Sequence, residues 1–382
     1  MPQKKRSRTL ALSLVLVLLL SSLFCCSREP IRIGFSGPLT GVYSDLGVQG
    51  RNGVTLAVEE INSQGGIANR ELRLLSRDDK NSPQQAIKAD RQLIAEDVVA
   101  VIGHMTSSQT LAAVPVFERE GVVLLSPTAS TPRLSEKKDM FFRVNPSSDR
   151  IARALARFAR EGLELTRIHT VRDMDNQAYT RPFTNHFVQG FRQEMNKVPQ
   201  RCAFSSSKRE EWTGVVDCLH QGSPQGVLIA ASARDTAALC GALKRRSGQI
   251  TVLASGWAAT RDLLQKGGDA VEAVYLAKSG YVDTGSASYQ EFVRRYRERF
   301  GRIPSFPAVQ SYHATKVLAR ALKKTGGKRK GLPAALTAIK DYSSFYGHIG
   351  LNEYGDVLMP VHILQVHEGS FTVRARIKPR TD

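Results

Sequence analysis

Residues 31–44 read IRIGFSGPLTGVYS. An apolar strand, Ile31–Gly37, runs into a Gly/Pro/Thr loop that feeds an amphipathic helix near Gly47–Asn62, stopped by Gly65–Gly66. Val54, Ala57, Val58 and Ile61 stand at i, i+3, i+4 and i+7, the spacing of one buried helix face. A strand at Leu72–Leu75, a helix at Pro83–Glu96 with Pro at its start, a strand at Val98–Ile102 and a polar loop, GHMTSS (103–108), follow at once. Val98–Ile102 is continuously apolar, as a parallel strand buried on both faces demands. This is the opening of a doubly wound α/β domain, which takes ligands where strand ends meet helix starts.

The alternation continues through a helix at Ser107–Arg119 and a strand at Val122–Leu125 that ends in SPTAST. Phe141–Pro146 reads as a crossing to a second unit, whose strands are expected at Arg167–Val171, Cys202–Phe204, Val227–Ala230, Val252–Ala254 and Val274–Ala277. Two long helices, Ser288–Phe300 and Ala308–Thr325, then precede a terminal hairpin, Val361–Val366 with Phe371–Arg376, turned at Glu368–Gly369. A helix block followed by a hairpin implies that the chain recrosses. The expected fold is α/β: two Rossmann-like lobes, residues 31–146 plus 279–344 and residues 147–278 plus 345–378, joined by a three-segment hinge that permits closure.

The N-terminus carries Lys4, Lys5, Arg6 and Arg8, then an almost wholly apolar run from Leu10 to Leu20 and a short mixed stretch to Cys26. These are the n-region, h-region and cleavage zone of an export signal, assigned to residues 1–25. A retained single membrane anchor is the alternative, since the apolar run from Leu10 to Cys26 is at the lower length limit for spanning a bilayer. The Cys25–Cys26 pair resembles a bacterial lipoprotein signal, with Leu23 three residues before Cys26. Phe24 and Cys25 occupy places where small residues are usual, so Cys25 stands beside Cys26 as the lipidated residue. Either reading puts the chain on the periplasmic or extracellular face, held to a membrane.

The chain has 54 Lys and Arg against 35 Asp and Glu, a net charge of +19. Residues 1–25 hold four of the basic residues and no acidic one, so about 50 remain against 35, near +15. The charges are scattered over many helices (Arg150, Arg153, Arg157 and Arg160; Arg294, Arg295, Arg297 and Arg299) without interleaved aromatics. They read as solvated faces rather than a nucleic-acid surface. Cys202, Cys218 and Cys240 follow the signal; Cys202 and Cys218 either pair in an oxidising compartment or stay buried free thiols. No cysteine or histidine spacing suggests zinc, and no cofactor is implied.

Together these segments resemble the type I periplasmic solute-binding proteins of ABC transporters, in the leucine/isoleucine/valine-binding group. The matching segments are IRIGFSGPLTG (31–41), GVTLAVEEINSQGGI (53–67), the run from Val98 to Ser130, DNQAYTRPF (175–183) and LNEYGD (351–356). Their order and spacing carry the likeness from about Ile31 to Lys378. The resemblance implies a two-lobed clamp that captures an amino acid or related small molecule and presents it to ABC permease subunits. Ser107 and Ser108 open a helix, where free N–H groups and the helix dipole favour an anion. By the family pattern Ser107 contacts the ligand carboxylate, Thr128 gives backbone contacts, Ser130 gives hydroxyl and amide donors, and Tyr179 closes from the second lobe. Tyr43 is placed in the ligand wall. The blander readings are an N-cap for Ser107 or Ser108, a plain turn for the Thr128–Ser130 stretch and interface filling for Tyr179.

One departure stands out. Where the family's ammonium-binding carboxylate follows a strand, this sequence reads SGWAAT (255–260), with Trp257 in that place. A Trp face holds a cation by cation–π attraction or stacks an apolar ligand. Asp235 is the alternative source of the missing charge, with helix capping its competing role.

Catalytic readings are weak. SEKK (135–138) fits SxxK and residues 324–326 read KTG, but SDN is absent and Ser135 lies in a charged loop. GFSGP fails the GxSxG elbow at Pro38, and neither HExxH nor a phosphate loop is present. The adjacent acids Asp78 and Asp79 read as a solvated loop. A sensor domain signalling to a separate partner, or a scaffold with a degenerate cleft, keeps the same fold with another output.

Overall fold

The computed structural model describes residues 29–191, 200–208, 212–246, 250–282 and 284–377. The expected signal and the lipidation at Cys25 or Cys26 lie outside them. The first unit runs β1 (Ile31–Gly37), α1 (Ser44–Ser63), β2 (Leu72–Asp78), α2 (Pro83–Ala95), β3 (Ala100–Gly103), α3 (Ser107–Glu120), β4 (Val123–Ser126) and β5 (Phe141–Arg143). Its strands form one parallel sheet in the order β2-β1-β3-β4-β5. β5 lies within the segment read from sequence as the crossing; the passage to the second unit begins only after it. The three residues are buried and hydrogen-bonded to β4, Leu124 opposite Phe141.

The second unit runs α4 (Ser148–Arg157), β6 (Ile168–Asp173), α5 (Gln177–Phe191), β7 (Arg201–Phe204), α6 (Trp212–His220), β8 (Gly226–Ala230), α7 (Ala233–Arg246), β9 (Thr251–Ser255), α8 (Arg261–Gly267) and β10 (Tyr275–Ser279). The chain then returns to the first unit with α9 (Ala287–Phe300), α10 (Phe306–Thr325) and α11 (Leu332–Thr337). A small hairpin follows, β11 (Tyr342–Ser344) with β12 (Gly347–Ile349). Finally β13 (Val361–His367) and β14 (Ser370–Ile377) close the second sheet, ordered β14-β13-β10-β9-β8-β6-β7. β13 pairs antiparallel with β10, and β6 to β10 are parallel to one another. The five parallel strands of each sheet therefore carry the same order, with a switch point between β1 and β3 in one and between β6 and β8 in the other. Such crevices at carboxyl strand ends are where this architecture binds ligands.

Each sheet has its own core. Ile31, Ile33 and Phe35 of β1 pack with Val54, Val58 and Ile61 of α1 and Val317 and Leu318 of α10. Val171, Val227 and Ile229 pack with Val215, Leu239 and Leu243 in the second unit, and Ile151, Leu155, Phe183 and Phe187 cover its other face. Burying each such side chain contributes about 1.5–3 kcal/mol. Gly47 lets α1 approach the preceding loop: an added Cβ would lie 1.9 Å from the Pro38 carbonyl oxygen. Cys202 of β7 and Cys218 of α6 are joined by a disulfide, and Cys240 is a buried free thiol. Among the described residues no helix is long and apolar enough to cross a membrane.

Residues 345–359, assigned from sequence to the second lobe, pack instead against the first. Ile349, Leu351, Val357 and Met359 share the core of Ile31 and Phe35. The physical tie is Arg143, fully buried, whose Nε meets Asp356 Oδ1 at 2.7 Å. Its Nη1 donates to the Thr131 carbonyl and its Nη2 to Ser135 Oγ, while Asp356 Oδ2 accepts from the Glu136 amide. Removing one member of such a buried pair leaves the other charge uncompensated, at a cost of about 3–5 kcal/mol. Asp356→Ala is expected to lose that much stability in urea unfolding at pH 7; a loss below about 1 kcal/mol would show the pair to be dispensable.

Candidate functional site

The site is built from the loop after β3. Gly103 adopts φ +151°, and an added Cβ would lie 2.3 Å from the Ser36 carbonyl oxygen of β1, so only glycine fits the close approach. His104 then turns inward and is completely buried between two carboxylates, Nδ1 at 2.8 Å from Asp79 Oδ2 and Nε2 at 2.9 Å from Asp90 Oδ2. Asp79 is thus a buried partner rather than part of a solvated loop. Its neighbour Asp78 does face outward, accepting from Thr40 Oγ1 and from the Leu39 and Lys80 amides. Burial alone would lower the His104 pKa; the Asp90 and Asp79 carboxylates outweigh it and hold it up at about 10.

From His104 a series of hydrogen bonds fixes the neighbouring loops. Ser126 Oγ donates to the His104 carbonyl and Thr128 Oγ1 to the Met105 carbonyl. The Ser130 amide donates to Ser107 Oγ at 3.3 Å, and Asn145 Nδ2 donates to the Thr128 carbonyl at 2.9 Å. Asn145 Oδ1 accepts from Ser279 Oγ at 2.9 Å and from Gln310 Nε2 at 3.1 Å, joining the end of β10 and α10 to the same cluster.

These loops line a partly open cavity between the strand ends of the two sheets, about 520 Å³ including the part that opens to solvent. Ser107, Thr128 and Ser130 line it from the first lobe, Tyr179 and Trp257 from the second. Asn145, Asn176, Lys278, Ser279 and Gln310 add polar groups, and Leu46, Met105, Ile151 and Phe306 an apolar wall. Three other residues proposed from sequence lie outside the lining. Ser108 bonds across the lobes instead, donating to Asn176 Oδ1 and accepting from the Ala178 amide. Tyr43 sits behind Trp257, ring centroids 5.3 Å apart, and its hydroxyl bonds the Asp173 carboxylate. Burial raises the Asp173 pKa to about 6 against the lowering effect of that bond. Asp235 closes a capping box at the start of α7: Ser232 Oγ donates to its carboxylate and its amide donates to Ser232 Oγ. The N-cap of α3 is Thr106, which leaves Ser107 and Ser108 in the first helical turn.

The model of the periplasmic binding proteins matches residues 30–370. The chain belongs to that family. The Leu/Ile/Val-binding protein BraC3 of Rhizobium johnstonii is 25% identical over 359 residues, 91% of this chain and 93% of the relative. A leucine-, isoleucine-, valine-, threonine- and alanine-binding protein of Pseudomonas aeruginosa is 32% identical over 114 residues, a match that spans 30% of this chain and only 31% of the relative. The crystal structure of a leucine binding protein, LivK, from Thermotoga maritima superposes with a TM-score of 0.83 at 24% identity, covering 91% of this chain and 99% of that one. The resemblance read from the sequence, to the periplasmic binding proteins, therefore holds at the level of the family.

Sequence reasoning missed the charge in this binding protein's cavity. Lys278 is the penultimate residue of the strand YLAKS (275–279), and a lone cation near the carboxyl end of a parallel strand was the available signal. Its Nζ lies 5.0 Å from the Phe306 ring centroid and 5.9 Å from that of Tyr346. Burial pushes its ammonium down to about 8. No Asp or Glu is among the residues that line the cavity. Nor do three or more His, Cys, Asp or Glu converge as a metal site among the described residues.

The His104 triad yields a prediction with a definite sign. Because the folded pKa of about 10 exceeds the usual 6.5, its contribution is fully present below pH 6.5 and is lost as pH rises toward 10. His104→Gln is expected to cost about 3–5 kcal/mol at pH 6. The gap between wild type and variant should then shrink by about 1.4 kcal/mol per pH unit above 6.5. Denaturant melts at pH 6, 7.5 and 9 check this; a pH-independent gap contradicts a charged His104.

Proposed function

We propose that this chain is the extracytoplasmic solute-binding component of an ABC importer, and that its two lobes close on an amino acid or similar small carboxylate. The observation that carries this reading is the cavity at the facing strand ends, with Ser107 in the first turn of a 14-residue helix. There the α3 amides and dipole attract an anion. The Ser107 hydroxyl accepts from Ser130 N and has its own hydrogen left to donate. Ser130 Oγ has no hydrogen-bond partner among the described residues. Thr128 shapes the loop, and Tyr179 and Trp257 form the facing wall. Tyr179–Trp257 contact is edge-on, with centroids 6.0 Å apart.

Closure has its own support. Tyr43 bonds Asp173 and Ser108 bonds Asn176, each pair reaching from one lobe to the other. The Cys202–Cys218 disulfide suits an oxidising compartment. Lipidation at Cys26, or at Cys25, would hold the clamp near its permease, and the names of the relatives support a small organic solute.

Calorimetric titration of the full chain, purified in detergent, against amino acids and small carboxylates tests this. At least one solute should bind with a micromolar Kd, and Ser130→Ala should weaken that solute by about 1–3 kcal/mol. Saturable binding that the variant leaves unchanged would place the solute elsewhere, and silence across the whole set would remove the importer reading.

A further inference from the structure

We propose that Lys278 is the charge-reading residue of this cavity and that the solute is a carboxylic acid without an α-ammonium group. The inference rests on the solute-binding reading above and narrows its ligand class. An amino acid brings one negative and one positive end, and each must be matched once it leaves water. The cavity matches only the first. The one charged residue in its lining is Lys278, which is half-buried; no described carboxylate pairs with it, its Nζ lies 5.0 and 5.9 Å from the Phe306 and Tyr346 ring centroids, and its cross-strand neighbour is His362. A half-buried cation without a carboxylate partner at the wall of a cavity is compensated when an anion arrives there.

The position of Lys278 fits that task. Asn145 bridges the Thr128 carbonyl and Ser279 Oγ, so the loop bearing Ser130 and the end of β10 lie side by side. Lys278 and the Ser107 and Ser130 hydroxyls line one cavity, so a carboxylate bound in it has hydroxyl donors from one lobe and a charge from the other. The alternatives for an ammonium are poor. Asp235 is consumed in its capping box, and Asp173 is held by Tyr43 outside the lining. Trp257 already packs against both Tyr43 and Tyr179. Gln310 Oε1 is buried without a partner. It is a neutral acceptor, suited to a ligand hydroxyl, and would leave an ammonium inside the same cavity as Lys278.

The test uses matched pairs that differ only at the amino group. Leucine is compared with 4-methylpentanoate and 2-hydroxy-4-methylpentanoate, and phenylglycine with phenylacetate and mandelate, each titrated into the full chain in detergent at pH 7. At least one acid should bind tenfold or more tightly than its amino counterpart. Lys278→Met should weaken that acid at least tenfold, while Lys278→Arg retains most of the affinity and both variants keep the wild-type circular dichroism spectrum. Tighter binding of the amino acid, or an acid that Lys278→Met leaves unchanged, overturns the inference and leaves the solute-binding reading standing. No binding by any member of either series overturns both.

Discussion

The buried imidazole of His104, clasped between Asp79 and Asp90, is the contact on which the binding region depends. It draws the loops after β2 and β3 and the helix α2 onto one point. Every polar group of the first-lobe site is then located relative to it: Ser126 through the His104 carbonyl, Thr128 through Met105, and Ser107 through Ser130. Asn145 carries the same network to β10 in the second lobe. An ion triad with no exposed atom is expensive to desolvate, and its use beside a cavity fits a demand for a fixed loop geometry rather than for stability alone.

Much of the architecture was legible in the sequence because it rests on periodicity. Ile31–Gly37 has the same limits as β1, and the i, i+3, i+4, i+7 pattern of Val54 to Ile61 is the buried face of α1. The two α/β lobes follow from the βαβ alternation, whereas the strand order within each sheet does not. What failed was long-range. Nothing local tells that Asp356 lies on Arg143, 213 positions earlier, so residues 345–359 went to the wrong lobe. Asp79 looked solvated because its histidine is 25 positions away.

The candidate site divides the same way. Ser107, Thr128, Ser130, Tyr179 and Trp257 stand at strand ends or helix starts and came together in one cavity. Asp235 has the capping role that the sequence offered beside charge pairing, with Ser232 three residues before it. Tyr43 supports the wall from behind. Lys278 was invisible as chemistry because one lysine at a strand end has many uses; only its enclosure without a carboxylate gives it meaning.

The most direct measurement of whether the lobes grip a solute is a crystal structure of the full chain grown with the tightest solute found by calorimetry. The account predicts continuous density between the lobes, its carboxylate within hydrogen-bonding distance of Ser107 Oγ or Ser130 Oγ, with Trp257 and Tyr179 against its body. Density at any other place on the molecule, with those serines facing only protein, would contradict it.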